Sequence, residues 1–262
     1  MGILNLTPDS FSDGGDLFGE PELLIGRARS MLDQGASILD LGAVSTRPGA
    51  DPVSLQEEMD RLSPALEALQ RAGLGPLSVD TFRPEVAELA LERGVEMIND
   101  VKAAAEPGMI EVLQRYQPKV CLMHMRGSPQ TMQAGQIHYG DVVEEVGSWL
   151  KSRVEALGLP RDQVFIDPGI GFGKWDEHNL ELTRSVGRLA QITGCPVLYG
   201  ASRKSVIGRI AGVEAPKDRL PGSLALAGAA AAAGAAMLRV HDVAETIQYL
   251  RLWGALGGAA AE

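Results

Sequence analysis

The sequence predicts an α/β fold, a single-domain (β/α)₈ barrel, from three observations. Short apolar runs alternate with longer helical patterns along the whole chain, and this happens eight times. Successive runs lie about 30 residues apart, as strand–helix units do in such barrels. No change of composition marks a linker, so one domain over residues 1–262 is expected. An open, doubly wound sheet is the alternative for the same alternation.

The strands are predicted from apolar runs without polar interruption, which are typical of parallel strands buried on both faces. The sixth run is the clearest, because Asp167 and Pro168 follow it directly and Pro168 ends strand pairing. In chain order, the predicted strands cover residues 2–6, 38–41, 76–79, 97–98, 119–123, 164–166, 196–199 and 237–240.

The helices are predicted in the intervening segments, with Pro84 as an example of a residue that opens a helix. The Ala-rich residues 225–236 suit a helix packed closely on the barrel rather than a disordered segment. Residues 257–262 are expected to form a loose tail. The predicted helices cover residues 21–34, 54–72, 84–93, 107–116, 142–157 and 179–192, helical segments within 202–236, and a last helix to about residue 253.

Composition excludes several classes of partner. Hydrophobic residues make up 45% and charged residues 22%, which is typical of a folded domain. The net charge of −10 argues against nucleic acid or an anionic membrane surface as a partner. Cys121 and Cys195 both lie in apolar runs, which indicates reduced, buried thiols. Without a signal peptide or an apolar run of membrane-spanning length, a cytoplasmic protein is expected.

Polar side chains mark the points where the predicted strands end. In barrels of this kind the active site forms at these carboxyl ends. A single such residue could be a helix cap or a turn residue, but six or more at one mouth indicate a site for a small, polar, planar ligand. These residues are Asn5, Asp80, Asn99, His124, Asp167 and His241, with Lys204 and Ser205 just beyond the seventh strand.

A second group at the same rim is cationic. Arg47, Lys204, Arg239 and His241 suggest a pocket for phosphate or pyrophosphate in an otherwise acidic protein. Residues 202–205 also begin a predicted helix, whose backbone N–H groups would face an anion. Alternatively, Arg239 pairs with a nearby carboxylate of residue 242 or 245 in a structural network.

Three loops are rich in Gly and Pro. Residues 7–15 and 42–49 are longer and more polar than simple connections need, and are either lids over a substrate or disordered surface. Residues 167–174 carry three glycines and form either part of a site or only a turn.

Eight blocks of the sequence together resemble dihydropteroate synthase, a family of pterin-binding TIM barrels. The resemblance covers essentially the whole chain. It implies a homodimeric transferase of folate synthesis, inhibited by sulfonamides, that joins 6-hydroxymethyl-7,8-dihydropterin pyrophosphate to p-aminobenzoate by a dissociative mechanism. The blocks are residues 1–15, 45–50, 78–81, 98–100, 122–127, 167–174, 202–205 and 239–242.

The resemblance also implies roles for individual residues. By resemblance, the pterin ring would be bound by Asp80, Asn99, Asp167 and Lys204. Asn5 would help to hold Mg²⁺. The pyrophosphate would be bound by Asn5, Thr46, Arg47, Arg239 and His241. The p-aminobenzoate would contact Thr46, Pro48, Phe172 and Ser205. The catalytic set is Asp80, Asp167, Lys204, Arg239 and His241.

The chain departs from the family pattern at three places. The first strand begins without the usual lead-in, Val44 replaces a frequent acidic residue, and Lys102 replaces a small one. Two other functions remain open: a pterin-dependent methyltransferase that serves a corrinoid, and a non-catalytic member that binds a partner. No corrinoid-binding segment is evident in the sequence, which counts against the first.

Overall fold

The computed structural model of the chain describes residues 1–7, 20–44, 53–127 and 137–257. Within these residues eight strands and ten α-helices form. The strands are β1 (Gly2–Asn5), β2 (Leu39–Gly42), β3 (Leu77–Asp80), β4 (Met97–Asp100), β5 (Lys119–Met123), β6 (Val164–Asp167), β7 (Leu198–Tyr199) and β8 (Met237–Leu238). The helices are α1 (Pro21–Asp33), α2 (Leu55–Arg71), α3 (Pro84–Glu92), α4 (Met109–Tyr116), α5 (Val142–Leu157), α6 (Asp176–Arg184), α7 (Val186–Thr193), α8 (Ser205–Ala211), α9 (Leu220–Ala232) and α10 (Val243–Ala255).

The strands form a closed parallel barrel, which confirms the predicted fold and excludes the open sheet. Strands β1 to β6 pair in sequence order, and β7 pairs with β8. Single bridges between Ile166 and Val197 and between Gly2 and Val240 join the two sets. At the second junction, Ile3 N donates to Val240 O at 3.0 Å and Val240 N donates to Met1 O at 3.0 Å. The last strand therefore meets the first.

Alternating strand residues divide the core into two parts. Residues that face the helices belong to one large cluster, which includes Leu4, Leu41 and Ile166. Residues that face inward at the lower part of the barrel form a smaller cluster, which includes Met97 and Leu198. This packed floor closes the barrel from below, so a ligand can enter only at the carboxyl ends of the strands.

Helices α2 and α5 each begin after a side chain that accepts hydrogen bonds from their first N–H groups. Ser54 accepts a hydrogen bond from Glu57 N before α2, and Asp141 accepts from Val143 N and Glu144 N before α5. The Ala-rich segment is helical up to Ala232, where α9 ends, four residues before the predicted end. It brings α9 close to α10, since a Cβ on Gly228 would lie 2.4 Å from the Tyr249 hydroxyl.

Two predicted elements are divided in the structure. The helix expected over residues 179–192 begins earlier and is two helices, because Ser185 between α6 and α7 adopts φ −106° and ψ 19°. The segment 202–236 contains α8, a 3₁₀ helix at Pro216–Arg219, and α9. Both breaks depend on local backbone geometry, which the hydrophobic periodicity of the sequence does not predict.

Several predicted features lie outside the described residues. They are residues 8–15 of the first loop, residues 45–49 of the second, and residues 258–262 of the tail. In the described part of the chain, no helix is long and apolar enough to span a membrane. Cys121 and Cys195 are both buried and free, as expected.

Candidate active site

Three of the predicted ligand groups lie in one row across neighbouring strands. The register pairs Asn5 with Gly42, Gly42 with Asp80, and Asp80 with Asn99. Residues in one row of a barrel point to the same side, so their side chains meet inside the mouth. Gly42 leaves room between its neighbours, because a Cβ there would lie 3.8 Å from Asn5 Oδ1 and from Asp80 Cβ.

Asp40 lies one layer deeper, two residues before Gly42, and is fully buried. One carboxylate oxygen, Oδ1, accepts from Ser78 Oγ at 2.6 Å. The other, Oδ2, accepts from Asn99 Nδ2 at 3.1 Å and from Arg239 Nε at 2.6 Å. The amide of Asn99 is thereby oriented from below, so its position depends on a carboxylate that does not itself line the cavity.

Arg239 follows β8 and bridges two carboxylates. Its Nη2 donates to Asp80 Oδ2 at 2.8 Å, in addition to the bond from its Nε to Asp40. Burial raises the pKa of Asp80, an effect that Arg239 opposes and Asp40 reinforces. Burial disfavours the charged guanidinium, but Asp40 and Asp80 outweigh it and raise the pKa of Arg239. The group is therefore a permanent cation in the site.

Arg239 does not form either of the ion pairs that sequence proximity suggested. Its carboxylate partners come from β2 and β3, while Asp242 pairs with Arg203 at 2.6 Å. Asp80 is also not a helix cap, because no side chain accepts a capping hydrogen bond at the start of α3 and the Asp80 carboxylate instead accepts from Arg239. Both residues therefore belong to the barrel mouth.

Asp167 and Lys204 face each other on the opposite side. Asp167 is 5% exposed, and its Oδ1 accepts from Gly169 N at 2.7 Å. Burial raises the pKa of Asp167, whereas Lys204 and the Gly169 N–H lower it. Burial lowers the pKa of Lys204 to about 8, although Asp167 favours its charged form. Lys204 Nζ donates to Ile170 O at 2.5 Å and lies 4.5 Å from the Phe172 ring centroid.

The loop after β6, residues 168–174, packs directly on the chain that follows β5. Gly169 and Gly173 have φ values of +69° and +67°. A Cβ on Gly169 would lie 1.9 Å from His124 O, and one on Gly173 would lie 2.6 Å from Arg126 O. Only glycine fits both the left-handed backbone and the limited space at these two positions. The segment is therefore a closely packed wall of the site and not only a turn between β6 and α6.

His241 and Ser205 lie at the rim on the side of β7 and β8. His241 Nδ1 is 2.9 Å from Ser202 Oγ, and the His241 N–H donates to the same oxygen. Ser205 is exposed at the first position of α8 and lines the cavity. Both residues line the same cavity as Arg239, so this part of the mouth carries cationic and hydroxyl groups.

The site residues surround a cavity of about 470 Å³. Thr46, Arg47 and Pro48, three of the predicted contacts, lie outside the described residues. In residues 1–7, 20–44, 53–127 and 137–257, no cluster of three or more His, Cys, Asp or Glu could hold a metal ion. The predicted residues that line the cavity are Asn5, Asp80, Asn99, Asp167, Phe172, Lys204, Ser205, Arg239 and His241.

Sequence reasoning missed two buried groups and placed a third differently. Asp40 was overlooked because it lies inside a strand, although a carboxylate in an apolar run is a detectable signal. Lys174 was not given a role, yet it is only 1% exposed. His124 lies below the β6 loop rather than among the cavity-lining residues, with Nδ1 2.9 Å from Lys174 Nζ.

The sequence matches the pterin binding enzyme family over residues 1–241. The chain belongs to this family. Its pterin-binding relatives include the dihydropteroate synthase of Synechocystis, 44% identical over 98% of this chain and 89% of that protein. This pterin-binding barrel is a transferase of folate synthesis.

Solved structures show the same relationship. The Yersinia pestis dihydropteroate synthase with a sulfonamide drug is 40% identical, with a TM-score of 0.91 over 98% of this chain and 93% of that one. The Burkholderia cenocepacia dihydropteroate synthase complexed with 7,8-dihydropteroate is 40% identical, with a TM-score of 0.86 over 99% of this chain and 91% of that one. These relatives are dihydropteroate synthases over nearly their whole length, so the comparisons give the alternative of a corrinoid-dependent methyltransferase no support.

Proposed function

We propose that this enzyme joins 6-hydroxymethyl-7,8-dihydropterin pyrophosphate to p-aminobenzoate and releases pyrophosphate. The observation that carries the proposal is the convergence of Asp80, Asn99, Asp167 and Lys204 on one cavity. Carboxylates accept hydrogen bonds from ring N–H and amino groups, while an amide and an ammonium group donate to ring N and O atoms. This combination is complementary to a pterin.

The pterin ring lies between two carboxylates that are both largely removed from water. Asp80 is held by Arg239 and Asp167 by the Gly169 N–H, so each can accept from the ligand with its remaining oxygen lone pairs. Such charge-assisted hydrogen bonds are strong in a dry site. They also favour positive charge that develops on the pterin methylene carbon when its bond to oxygen breaks.

The pyrophosphate leaves toward the outer, cationic part of the mouth. His241 and Arg239 lie on that side, and we assign Thr46 and Arg47 to the same task on the family resemblance. Arg239 already bridges Asp40 and Asp80, so it contacts the leaving group with the guanidinium N–H groups that those two bonds do not use. One residue thus connects the pterin carboxylates to the departing anion.

Asn5 fits a Mg²⁺ ion as an oxygen ligand, because it lies at the mouth and Gly42 leaves space beside it. Mg²⁺ is commonly bound by one or two protein oxygens together with phosphate oxygens and water, so a protein cluster of three carboxylates is not required. When bound, the ion neutralises charge on the pyrophosphate.

The p-aminobenzoate approaches after the pyrophosphate has left. Phe172 offers an aromatic face beside Lys204, and Ser205 offers a hydroxyl and its backbone N–H to a carboxylate at the start of α8. Pro48 and Thr46 complete this part by resemblance. An arylamine is a weak nucleophile, so attack on a carbon that already carries positive charge suits a dissociative course.

One assay tests the proposal. The purified chain is given the pterin pyrophosphate with and without p-aminobenzoate and Mg²⁺, and both dihydropteroate and pyrophosphate are measured. We expect dihydropteroate only when both substrates and the metal are present. Slow pyrophosphate release without p-aminobenzoate is the sign of a dissociative step. A folded protein that makes no dihydropteroate under these conditions overturns the proposal.

We also propose that a sulfonamide competes with p-aminobenzoate and that the enzyme is a homodimer in the cytoplasm. Competition raises the apparent KM for p-aminobenzoate and leaves the KM for the pterin substrate unchanged. Sedimentation at several protein concentrations measures the oligomeric state, and a monomer at all of them overturns the dimer.

A further inference from the structure

Lys174 is a buried lysine without a carboxylate ion-pair partner among the described residues. It is 1% exposed, and among the described residues no Asp or Glu forms an ion pair with it. Its Nζ lies 2.9 Å from His124 Nδ1, 3.0 Å from Gly169 O and 3.0 Å from Phe172 O. His124 O is a fourth, longer acceptor at 3.4 Å, so the three N–H donors of an ammonium group all have partners.

Such an arrangement is costly to fold. Burial lowers the pKa of Lys174 to about 7, against the influence of Asp167, which favours the charged form. Burial and the nearby Lys174 lower the pKa of His124 to about 2, so its imidazole is neutral and accepts a hydrogen bond at Nδ1. An apolar side chain of similar length would fill the space without this penalty, so the structure needs the donors of the ammonium group.

The donors act on a loop that contributes directly to the cavity. Gly169 and Phe172, whose carbonyls Lys174 holds, flank Ile170, whose carbonyl receives Lys204 Nζ. Phe172 and Ile170 both line the cavity. Because the two loop carbonyls are tied to one atom, the loop backbone between them cannot change shape independently of Lys174.

His124 anchors the other end of this contact. It follows β5, and its backbone N–H donates to Asp167 O at 3.0 Å. Its ring also contacts Trp149 of α5 edge-on, with ring centroids 5.0 Å apart. The imidazole is therefore fixed by the sheet and by a helix, and it gives Lys174 a rigid reference point outside the loop.

We propose that Lys174 is a positioning residue for the transfer reaction. Its side chain, held by His124, keeps the β6 loop in the shape that places Phe172 for p-aminobenzoate. The proposal rests on the proposed function. It assigns Lys174 no contact with either substrate, since Lys174 does not line the cavity.

The effect should fall on one substrate more than on the other. Asp80, Asn99 and Asp167 are residues of strands β3, β4 and β6, so most of the pterin contacts survive a loosened loop. For Lys174→Met we expect the KM for p-aminobenzoate to rise about tenfold or more, while affinity for a pterin without pyrophosphate changes less than about threefold. Steady-state kinetics and calorimetry measure the two quantities.

Two variants of His124 keep the test sharp if Lys174→Met does not fold. His124→Asn retains an acceptor oxygen near the position of Nδ1, and His124→Leu removes it. We expect His124→Leu to show the same selective rise in KM and His124→Asn to stay close to the parent. Arg161→Met is the stability control, because Arg161 donates to Thr193 O, away from the cavity.

The outcomes separate the two proposals. If the parent makes no dihydropteroate, the proposed function fails. If the parent is active but the Lys174 or His124→Leu variants lose affinity for both substrates equally, or match Arg161→Met, Lys174 is only structural and the positioning role is wrong. An equal rise in KM for His124→Asn and His124→Leu would also overturn it.

Discussion

The two sides of the barrel mouth bury a cation by different means. On the side of β2 and β3, Arg239 is paired with Asp40 and Asp80 at 2.6 and 2.8 Å, so opposite charges neutralise each other. On the side of β6, Lys174 has only carbonyls and a neutral imidazole as partners. The first arrangement depends on strand residues in fixed register, and the second depends on the shape of a loop.

The difference teaches which perturbations each side tolerates. Removing Arg239 leaves the buried carboxylates of Asp40 and Asp80 unpaired. This lowers the free energy of unfolding, because the strands hold both carboxylates in place. Removing a donor from the loop frees backbone carbonyls that can turn toward water, so the main consequence is a change of loop shape. The carboxylate side should therefore respond in stability and the loop side in substrate affinity.

The largest effect is expected for Arg239→Ala. It leaves Asp40 and Asp80 without a cation, so the free energy of unfolding should fall by about 3–5 kcal/mol. Turnover should fall by about 10²–10³, because on the proposed function Arg239 also stabilises the departing pyrophosphate. Denaturant titration and product formation measure these. Arg239→Lys, which keeps the charge but not both contacts, should recover part of the stability; an unchanged free energy of unfolding in Arg239→Ala would contradict the network.

A smaller loss is expected for Asp167→Ala, and it should appear in binding. Ligand N–H groups lose a charged acceptor, so affinity for a pterin should fall by about 2–4 kcal/mol. Calorimetry on the folded variant measures the loss. Asp176→Asn is the matched control, because Asp176 pairs with Arg209 on the surface and should leave affinity unchanged. Parent-like affinity in Asp167→Ala would remove Asp167 from the pterin contacts.

The close packing of the β6 loop can be isolated with two glycines of similar backbone. Gly169 and Gly212 have φ values of +69° and +70°, but a Cβ would meet His124 O at 1.9 Å in the first case and nothing within 4 Å in the second. Gly212→Ala should cost about 1 kcal/mol of stability for the left-handed backbone alone. Gly169→Ala should cost about 1–3 kcal/mol more, because the His124 carbonyl must move. Equal thermal melts for the two variants would show that the contact can relax.

The smallest effect is a dependence of stability on pH that comes from His124. Burial lowers the pKa of His124 to about 2, whereas the unfolded chain titrates near its ordinary value of 6.5. Between these values the unfolded state binds a proton that the folded state does not, so stability falls as pH falls below about 6.5, by at most about 1.4 kcal/mol per unit.

His124→Asn should reduce this acid sensitivity. Burial raises the pKa of Asp80 and of Asp100, and these groups act in the opposite sense over the same range. They are present in both proteins, as is Lys174, whose pKa of about 7 lies at the top of this range, so the difference between parent and variant below about pH 6 isolates the imidazole. Parallel stability curves from about pH 7.5 to 5 would mean that His124 does not titrate on unfolding.

The sequence predicts the barrel and many of the polar residues that line the cavity for one reason. Polar residues that directly follow apolar runs mark the carboxyl ends of strands, and the barrel brings those ends together, so the sequence places Asp80, Asn99 and Asp167 at the cavity. Arg239 shows the limit. Sequence reasoning sought its partner within a few residues, whereas the carboxylates that hold it are 199 and 159 positions away.

Other features depend on local geometry that periodicity does not encode. The apolar pattern runs through Ser185 without interruption, so the break between α6 and α7 is invisible until the backbone is known. The contact between Lys174 and His124 spans 50 positions and requires the loop to turn back on β5. Long-range pairings of this kind follow from the fold and cannot be obtained from spacing.

The closure of the barrel has a kinetic consequence. Strand β1 meets the end of β8 through hydrogen bonds between residues about 238 positions apart, and Arg239 stands at this junction. Contacts of such high sequence separation form late in folding, because the entropy of ordering the intervening chain must be offset first. The bonds from Arg239 to Asp40 and Asp80 therefore form together with the last seam, and intermediates with an open seam lack a complete pterin site. A pterin ligand should slow unfolding of the closed barrel and leave the early steps of refolding unchanged.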